Sequence, residues 1–173
     1  MNEVLKALIE RRSVKKYKDT PVPKELLERI AEAGTYAPSG MNKQASVILV
    51  VTDKEKRDWL SKINAQVRGV DTDPFYGAPA VLVVLYDKSV HTGIYDGSLV
   101  MQNLMLAAHS LGLGACWIHR AKETFETNEG KAFLRELGIE GDYEGVGNCI
   151  VGYADGEYPV LKPRKENYVY YVD

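Results

Sequence analysis

Apolar and polar positions along the chain fall into a short series of periodic segments. Residues 2–11 have helical spacing: Asn2 is placed to cap, and Val4, Leu5 and Leu8 form an apolar stripe. Residues 23–33 repeat it, with Pro23 in the first turn, Leu26, Leu27, Ile30 and Ala33 as the stripe, and Gly34 as the predicted stop. A loop is predicted over 35–43. Val47-Ile48-Leu49-Val50-Val51 is continuous apolar sequence and predicts a strand buried on both faces, as does Ala80-Val81-Leu82-Val83-Val84-Leu85. A polar helix is predicted over 54–68. Residues 96–111 form a helix that is apolar nearly all round, the mark of a core or an interface helix, ended by Gly112 and Gly114. A short strand at 115–118, a charged helix over 129–137 and a strand from Val146 to Tyr153 complete the pattern. The last segment, 154–173, has two prolines, many charges, four tyrosines and no period. It is expected to pack along the sheet edge or across a partner subunit. Strands and helices mix without strict alternation, so the expected class is α+β, in one domain spanning 1–173.

Composition sharpens this picture. The 173 residues carry 22 Lys and Arg against 24 Asp and Glu, a net charge of −2. That balance argues against a general nucleic-acid or anionic-membrane binder. With 45% apolar and 27% charged residues the chain has globular usage, and its longest apolar runs are too short to span a bilayer. Cys116 and Cys149 are far apart and form no metal or redox motif. Together with a start lacking an apolar leader, this gives the expectation of a reduced, cytoplasmic protein.

Three polar clusters could carry chemistry. Arg11-Arg12-Ser13-Val14-Lys15-Lys16 joins two guanidinium forks, a hydroxyl and two ammonium groups at a helix end, suited to an anion; the same charges could simply complement the helix C-terminus. Pro38-Ser39-Gly40-Met41-Asn42-Lys43-Gln44 combines a glycine that allows close backbone approach with two amides able to meet alternating C=O and N–H groups. It could also be an ordinary turn. Lys162-Pro163-Arg164-Lys165 supplies basic side chains at i and i+2 of an extended segment, a second arm for a phosphate or a solubilising tail. Gly145-Val146-Gly147 precedes a strand, the wrong context for a dinucleotide fingerprint. No metal spacing, Walker loop or serine-hydrolase elbow occurs.

In order, these clusters resemble the nitroreductase family of flavin mononucleotide (FMN) enzymes. The resemblance rests on Arg11-Arg12-Ser13-x-Lys15, Pro38-Ser39-Gly40-x-Asn42-x-Gln44, Gly77-Ala78-Pro79, Gln102-Asn103-Leu104-x-Leu106-Ala107-Ala108, Leu111-Gly112-Leu113-Gly114 with Trp117-Ile118, and Lys162-x-Arg164. It implies a mixed, mostly antiparallel sheet flanked by helices, in an intertwined homodimer with FMN at the interface. It implies further that Arg11, Ser13, Lys162 and Arg164 meet the phosphate and ribityl chain, with Arg12 nearby. Lys15 would sit near the flavin N1–C2=O edge, where a cation raises the reduction potential. Pro38, Ser39, Gly40, Asn42 and Gln44 resemble the loop lent by the other subunit. Trp117, Ile118 and His119 fall where backbone donors meet N5 and O4, and Asn64 is a candidate for the ring edge. The implied activity is NADH- or NADPH-dependent reduction of nitroaromatics, quinones or another small-molecule acceptor by a ping-pong cycle. Alternatives are a flavin-binding module without turnover, or a specialised branch such as a reductive dehalogenase or flavin-fragmenting enzyme. No partner nucleic acid, membrane or metal is implied. Two departures stand out: Ala45-Ser46 replaces a common Pro-Trp, and the stretch 88–95, where longer relatives cover the channel, is short.

Overall fold

The computed structural model describes residues 1–173. Helix α1 (Glu3–Glu10) is capped by the Asn2 carboxamide, which accepts the Leu5 N–H at 2.9 Å. Helix α2 (Lys24–Thr35) leads through a 3₁₀ turn at Gly40–Asn42 into β1 (Ser46–Val51). Next come α3 (Lys54–Arg68), β2 (Ala80–Asp87), α4 (Gly93–Ser110), β3 (Gly114–Ile118), α5 (Ala121–Glu126), α6 (Asn128–Glu136) and β4 (Tyr143–Gly152).

The strands form one sheet in the order β1-β2-β4-β3, and every neighbouring pair is antiparallel. This is the mostly antiparallel sheet expected, with parallel pairing confined to one isolated bridge, Ser13 to Ala115. Strand β2 is one of the two inner strands, and its alternation builds two cores. Val81, Val83 and Leu85 face Leu60, Phe125 and Phe133 on one side. Ala80, Leu82 and Val84 face Ile30, Met101 and Leu104 on the other. Helices α3, α5 and α6 thus cover one face, and α2 and α4 the other.

Several expectations are corrected by this packing. β1 is an edge strand, and its Val50 is exposed, so it is not buried on both faces. Gly34 does not stop α2; it lies inside the helix against α4, where a Cβ would come within 2.7 Å of Leu104 Cδ2. Helix α4 starts at Gly93 rather than 96 and is one-sided. Val100, Met101, Leu104 and Met105 are buried, whereas Tyr95 and Leu99 are exposed. Helix α5 was not predicted. It has six residues, too few for a visible period, and begins after Arg120 at φ +75°. A bulge between Val84 and Leu85 lets Val146 turn toward α4. No helix is long and apolar enough to cross a membrane.

The segment 154–173 has no helix or strand. Its start is annealed to the chain after α1: Tyr17 bridges Ala154, the Lys18 N–H donates to Tyr153 O at 2.9 Å, and Lys16 pairs with Asp155 at 2.9 Å. The remainder is largely exposed, as is the apolar stripe of α1, where Val4, Leu5, Leu8 and Ile9 have no cover.

Candidate functional site

The free edge of β3 organises the first half of the site. The Val14 N–H donates to Ala115 O at 3.1 Å, docking residues 13–14 beside the strand. Gly114 is required there, because a Cβ would lie 2.8 Å from Val14 Cγ2. The extended backbone alternates: Val14 is buried, whereas Ser13 and Lys15 point outward. Ser13, Lys15 and Arg11 all lie near the Cys116 thiol. Arg12 behaves differently from its neighbour. Its Nη1 folds back onto Ile9 O at 2.7 Å and Arg11 O at 2.6 Å, closing the end of α1. Arg11 Nη1 and Arg12 Nε are both buried with no partner in the chain, which leaves two guanidinium donors open to an anion.

Further along the same edge, Trp117 presents its backbone N–H on the side where Ala115 meets Val14, since the pleat repeats every two residues. Ile118 and His119 follow, each with a carbonyl held by a buried asparagine. Asn64 donates from α3 to His119 O at 2.8 Å, and Asn148 donates from β4 to Ile118 O at 3.4 Å. The Oδ1 atoms of both asparagines are buried and unpartnered. Lys15 Nζ lies 5.8 Å from the centre of the Tyr76 ring.

The tail passes the other end of this strip. The Tyr158 hydroxyl accepts the Arg12 N–H at 2.9 Å and lies 3.1 Å from His109 Nδ1. Burial pushes the His109 pKa down, Glu10 pulls it up, and Arg11 and Arg12 push it down further. The Tyr158 hydroxyl and His109 Nδ1 thus share one hydrogen bond beside the guanidinium groups of Arg11 and Arg12. A cavity of about 490 Å³ lies here, lined in part by Arg12, His109, Gly114, Tyr158 and Leu161. Lys162 and Arg164 follow immediately and are exposed; Arg164 Nη2 donates to Lys162 O at 3.0 Å.

The loop of Pro38, Ser39, Gly40, Asn42 and Gln44 is not part of this assembly. It docks on the beginning of α4. The Gly40 N–H donates to Asp96 Oδ1 at 3.1 Å, and Thr92 Oγ1 donates to Asp96 Oδ2 at 3.0 Å. A Cβ at Gly40 would lie 2.5 Å from Thr92 Oγ1. Met41, Asn42 and Gln44 have φ of 52°, 54° and 49°, a run of left-handed backbone fixed by Gln44 N–H to Ser39 Oγ (3.1 Å) and Gln44 Nε2 to Asn42 Oδ1 (3.0 Å). Asp96 and His109 are at opposite ends of α4, about 20 Å apart at 1.5 Å per residue. Within one chain, then, Arg11, Ser13, Lys15, Trp117 and the tail are brought together, and the 38–44 loop is held away from them.

Sequence reasoning missed Asp96, Thr92, Tyr158, His109, Tyr76 and Asn148. Asp96, the lone carboxylate in an apolar helix, was the one visible signal; the others act through contacts between distant residues.

The cysteines are ruled out as nucleophiles. Burial pushes Cys116 up, against the pull of Ser13, Lys15 and Arg11, and burial pushes Cys149 up to about 12. They face opposite cores, so the two thiols stay free. Alkylation at pH 8 is expected to be slow in the folded protein and fast in denaturant, because only the thiolate reacts. Rapid labelling of the native chain at either position would contradict their burial.

The architecture matches known proteins. A nitroreductase of Bacteroides fragilis, solved with bound FMN, superposes with a TM-score of 0.91 at 29% identity, each chain covered in full. A nitroreductase of Desulfitobacterium hafniense, also with bound FMN, gives 0.88 at 30% identity, again over both chains in full. An FMN reductase [NAD(P)H] of Bacillus subtilis is 34% identical over 131 residues, covering 66% of this chain and 53% of that protein. The match to a Methanothermobacter thermautotrophicus relative, 34% identical over 119 residues and 66% of this chain, takes in 60% of its length. The chain thus spans less than two thirds of these curated relatives. The family model described as "Nitroreductase family" matches residues 8–153, most of the sequence, and this chain belongs to the nitroreductase family.

Proposed function

We propose that the chain binds FMN between two copies of itself and acts as an NAD(P)H-dependent oxidoreductase on nitroaromatics, quinones or similar electron-poor acceptors. The carrying observation is the separation of two complementary half-sites along α4. With the 38–44 loop anchored at the far end of α4, the loop proposed to meet a cofactor held by Arg11, Ser13 and Lys15 is that of a second chain. The exposed apolar stripe of α1 and the exposed Val160, Leu161 and Tyr168–Val172 favour the same reading, since monomers rarely leave such patches open.

The residues present fit the cofactor. Arg11 Nη1 lacks an acceptor, and Lys162 and Arg164 are basic and free of ion pairs, a set suited to a phosphate carrying about −2 charge. Asn64 Oδ1 and the Trp117 N–H supply an acceptor and a donor for a polar ring edge. When bound, FMN supplies the hydride chemistry; the protein orients and tunes it. Ser13 and Arg11 anchor the phosphate end. Lys15 places positive charge at the end of the strip nearest Trp117 and Tyr76. The backbone of Gly40, Asn42 and Gln44, held by Asp96 and Ser39 and lent by the partner, gives a flat ring a rigid wall. The stretch 88–92 is a turn leading directly into α4, so it adds no cover over the pocket. The short 88–92 turn leaves room for the ping-pong exchange of nicotinamide and acceptor that belongs to this reading.

Purified protein is expected to be yellow, to sediment as a dimer and to lose its flavin absorbance on adding NADH or NADPH. Colourless protein that takes up no FMN would sink the proposal.

A further inference from the structure

Tyr76 sits in a strained and heavily supported backbone. Its φ is +52°, uncommon for a bulky side chain, and the next residue, Gly77, has φ +71°. Such strain persists only where surrounding structure over-determines it. Here the support is the Asp73 carboxylate. It accepts the N–H groups of both neighbours, Phe75 at 2.8 Å and Gly77 at 2.7 Å. Ser61 and Arg57 also donate to it. Phe75 is wholly buried, and the Arg57 guanidinium lies 5.5 Å from its ring centre. With both flanks pinned inward, the Tyr76 ring is presented outward, 36% exposed, with Lys15 Nζ 5.8 Å from its centre.

We propose that Tyr76 is a positioning residue for Lys15: its ring face holds the ammonium on the FMN side of the β3 strip. The inference rests on the reading that the chain binds FMN with Lys15 at the ring edge. Lys15 has four rotatable bonds and no ion-pair partner in the chain, so without a fixed neighbour its charge would spread over many rotamers. A cation within about 6 Å of a ring centre is attracted by the quadrupole, and the attraction belongs to the ring face rather than the hydroxyl. The Asp73 knot supplies the rigidity that makes this useful. A tyrosine on a mobile loop would follow the lysine instead of holding it.

The test uses FMN-loaded protein and the midpoint potential of the bound flavin, read as relative affinity for its two-electron-reduced over its oxidised form. Lys15→Ala should lower that ratio. Tyr76→Leu should lower it about threefold or more, and Tyr76→Phe, which keeps the ring, should leave it within about twofold. Lys15→Ala combined with Tyr76→Leu should fall no further than Lys15→Ala alone. Far-UV dichroism and affinity for oxidised FMN check that the variants are folded and loaded. An unchanged ratio in Tyr76→Leu, a loss in Tyr76→Phe as large as in Tyr76→Leu, or additive losses in the double variant would each overturn the role of Tyr76. An unchanged ratio in Lys15→Ala would remove Lys15 from the ring edge, and the inference with it. Failure of the unmodified protein to bind FMN would instead overturn the proposed function.

Discussion

Asp73→Ala is expected to destabilise the protein by about 2–4 kcal/mol, somewhat below the roughly 3–5 kcal/mol for breaking a fully buried ion pair from one side. Its carboxylate gathers four donors: Arg57 Nη2 at 2.6 Å, the Ser61 hydroxyl, and the N–H groups of Phe75 and Gly77. The Arg57 side chain is only 10% exposed, and its remaining partners are Ala78 O and Asp58. Removing Asp73 leaves Arg57 Nη2 without its acceptor, with Asp58 still paired to Nη1. Asp73 itself is about one-third exposed. Water can therefore enter and hold the loss below that of a fully buried pair. Chemical denaturation measures the change; a loss under about 1 kcal/mol would mean that the knot does not hold 73–79. The effect should also depend on pH. Burial alone pushes the Asp73 pKa up, but Arg57, Ser61 and the Gly77 and Phe75 amides outweigh it and hold the pKa below the usual carboxylate range. A depressed folded value means that the stabilisation is complete above the unfolded value of about 3.9 and lost as pH falls through the folded one. The gap between wild type and Asp73→Ala should accordingly close in acid, while both remain separated at neutral pH.

Arg164→Ala is expected to weaken FMN binding by about 1.5–3 kcal/mol, roughly ten- to a hundredfold, the scale of a charge-assisted hydrogen bond. Nothing in the chain competes for this guanidinium apart from the Lys162 carbonyl, so its fork is free for a phosphate. The tail that carries it is held at Tyr158 by Arg12 and His109. The loss should shrink as salt rises, because the free side chain is screened in both states. A titration showing unchanged affinity at low salt would remove Arg164 from the site.

The elements most legible in the sequence were those whose cause is local. The all-apolar run of β2 required burial on both faces, and it is one of the two inner strands. The Asn2 cap was visible from residue type alone. β1 shows the limit of the same rule: an equally apolar run became an edge strand, because composition does not say which strand lies outermost. Helix α5 left no readable period in six residues. Gly34 looks the same in sequence whether it stops a helix or admits a neighbour, and only the closeness of Leu104 decides.

For the candidate site, the basic and amide-bearing clusters were legible by side-chain chemistry, and the family resemblance by their order. Their arrangement was not. Tyr158 meets Arg12 across 146 residues, and Asn64 meets His119 across 55. No periodicity carries such pairings, because they arise where separate elements pack rather than within one.

By itself, then, the sequence determined which of the longer segments are helix or strand, which side chains are chemically able to bind an anion or a polar ring, and the family to which they belong. Local backbone preference and residue chemistry act within a few positions and are written there. Tertiary structure alone decided the order β1-β2-β4-β3, the burial that leaves Arg11 Nη1 and Arg12 Nε without partners, and the presentation of Tyr76 to Lys15. It also set the α4 spacing that parts the two half-sites. Those outcomes depend on long-range burial and on which donors find acceptors once the chain is packed.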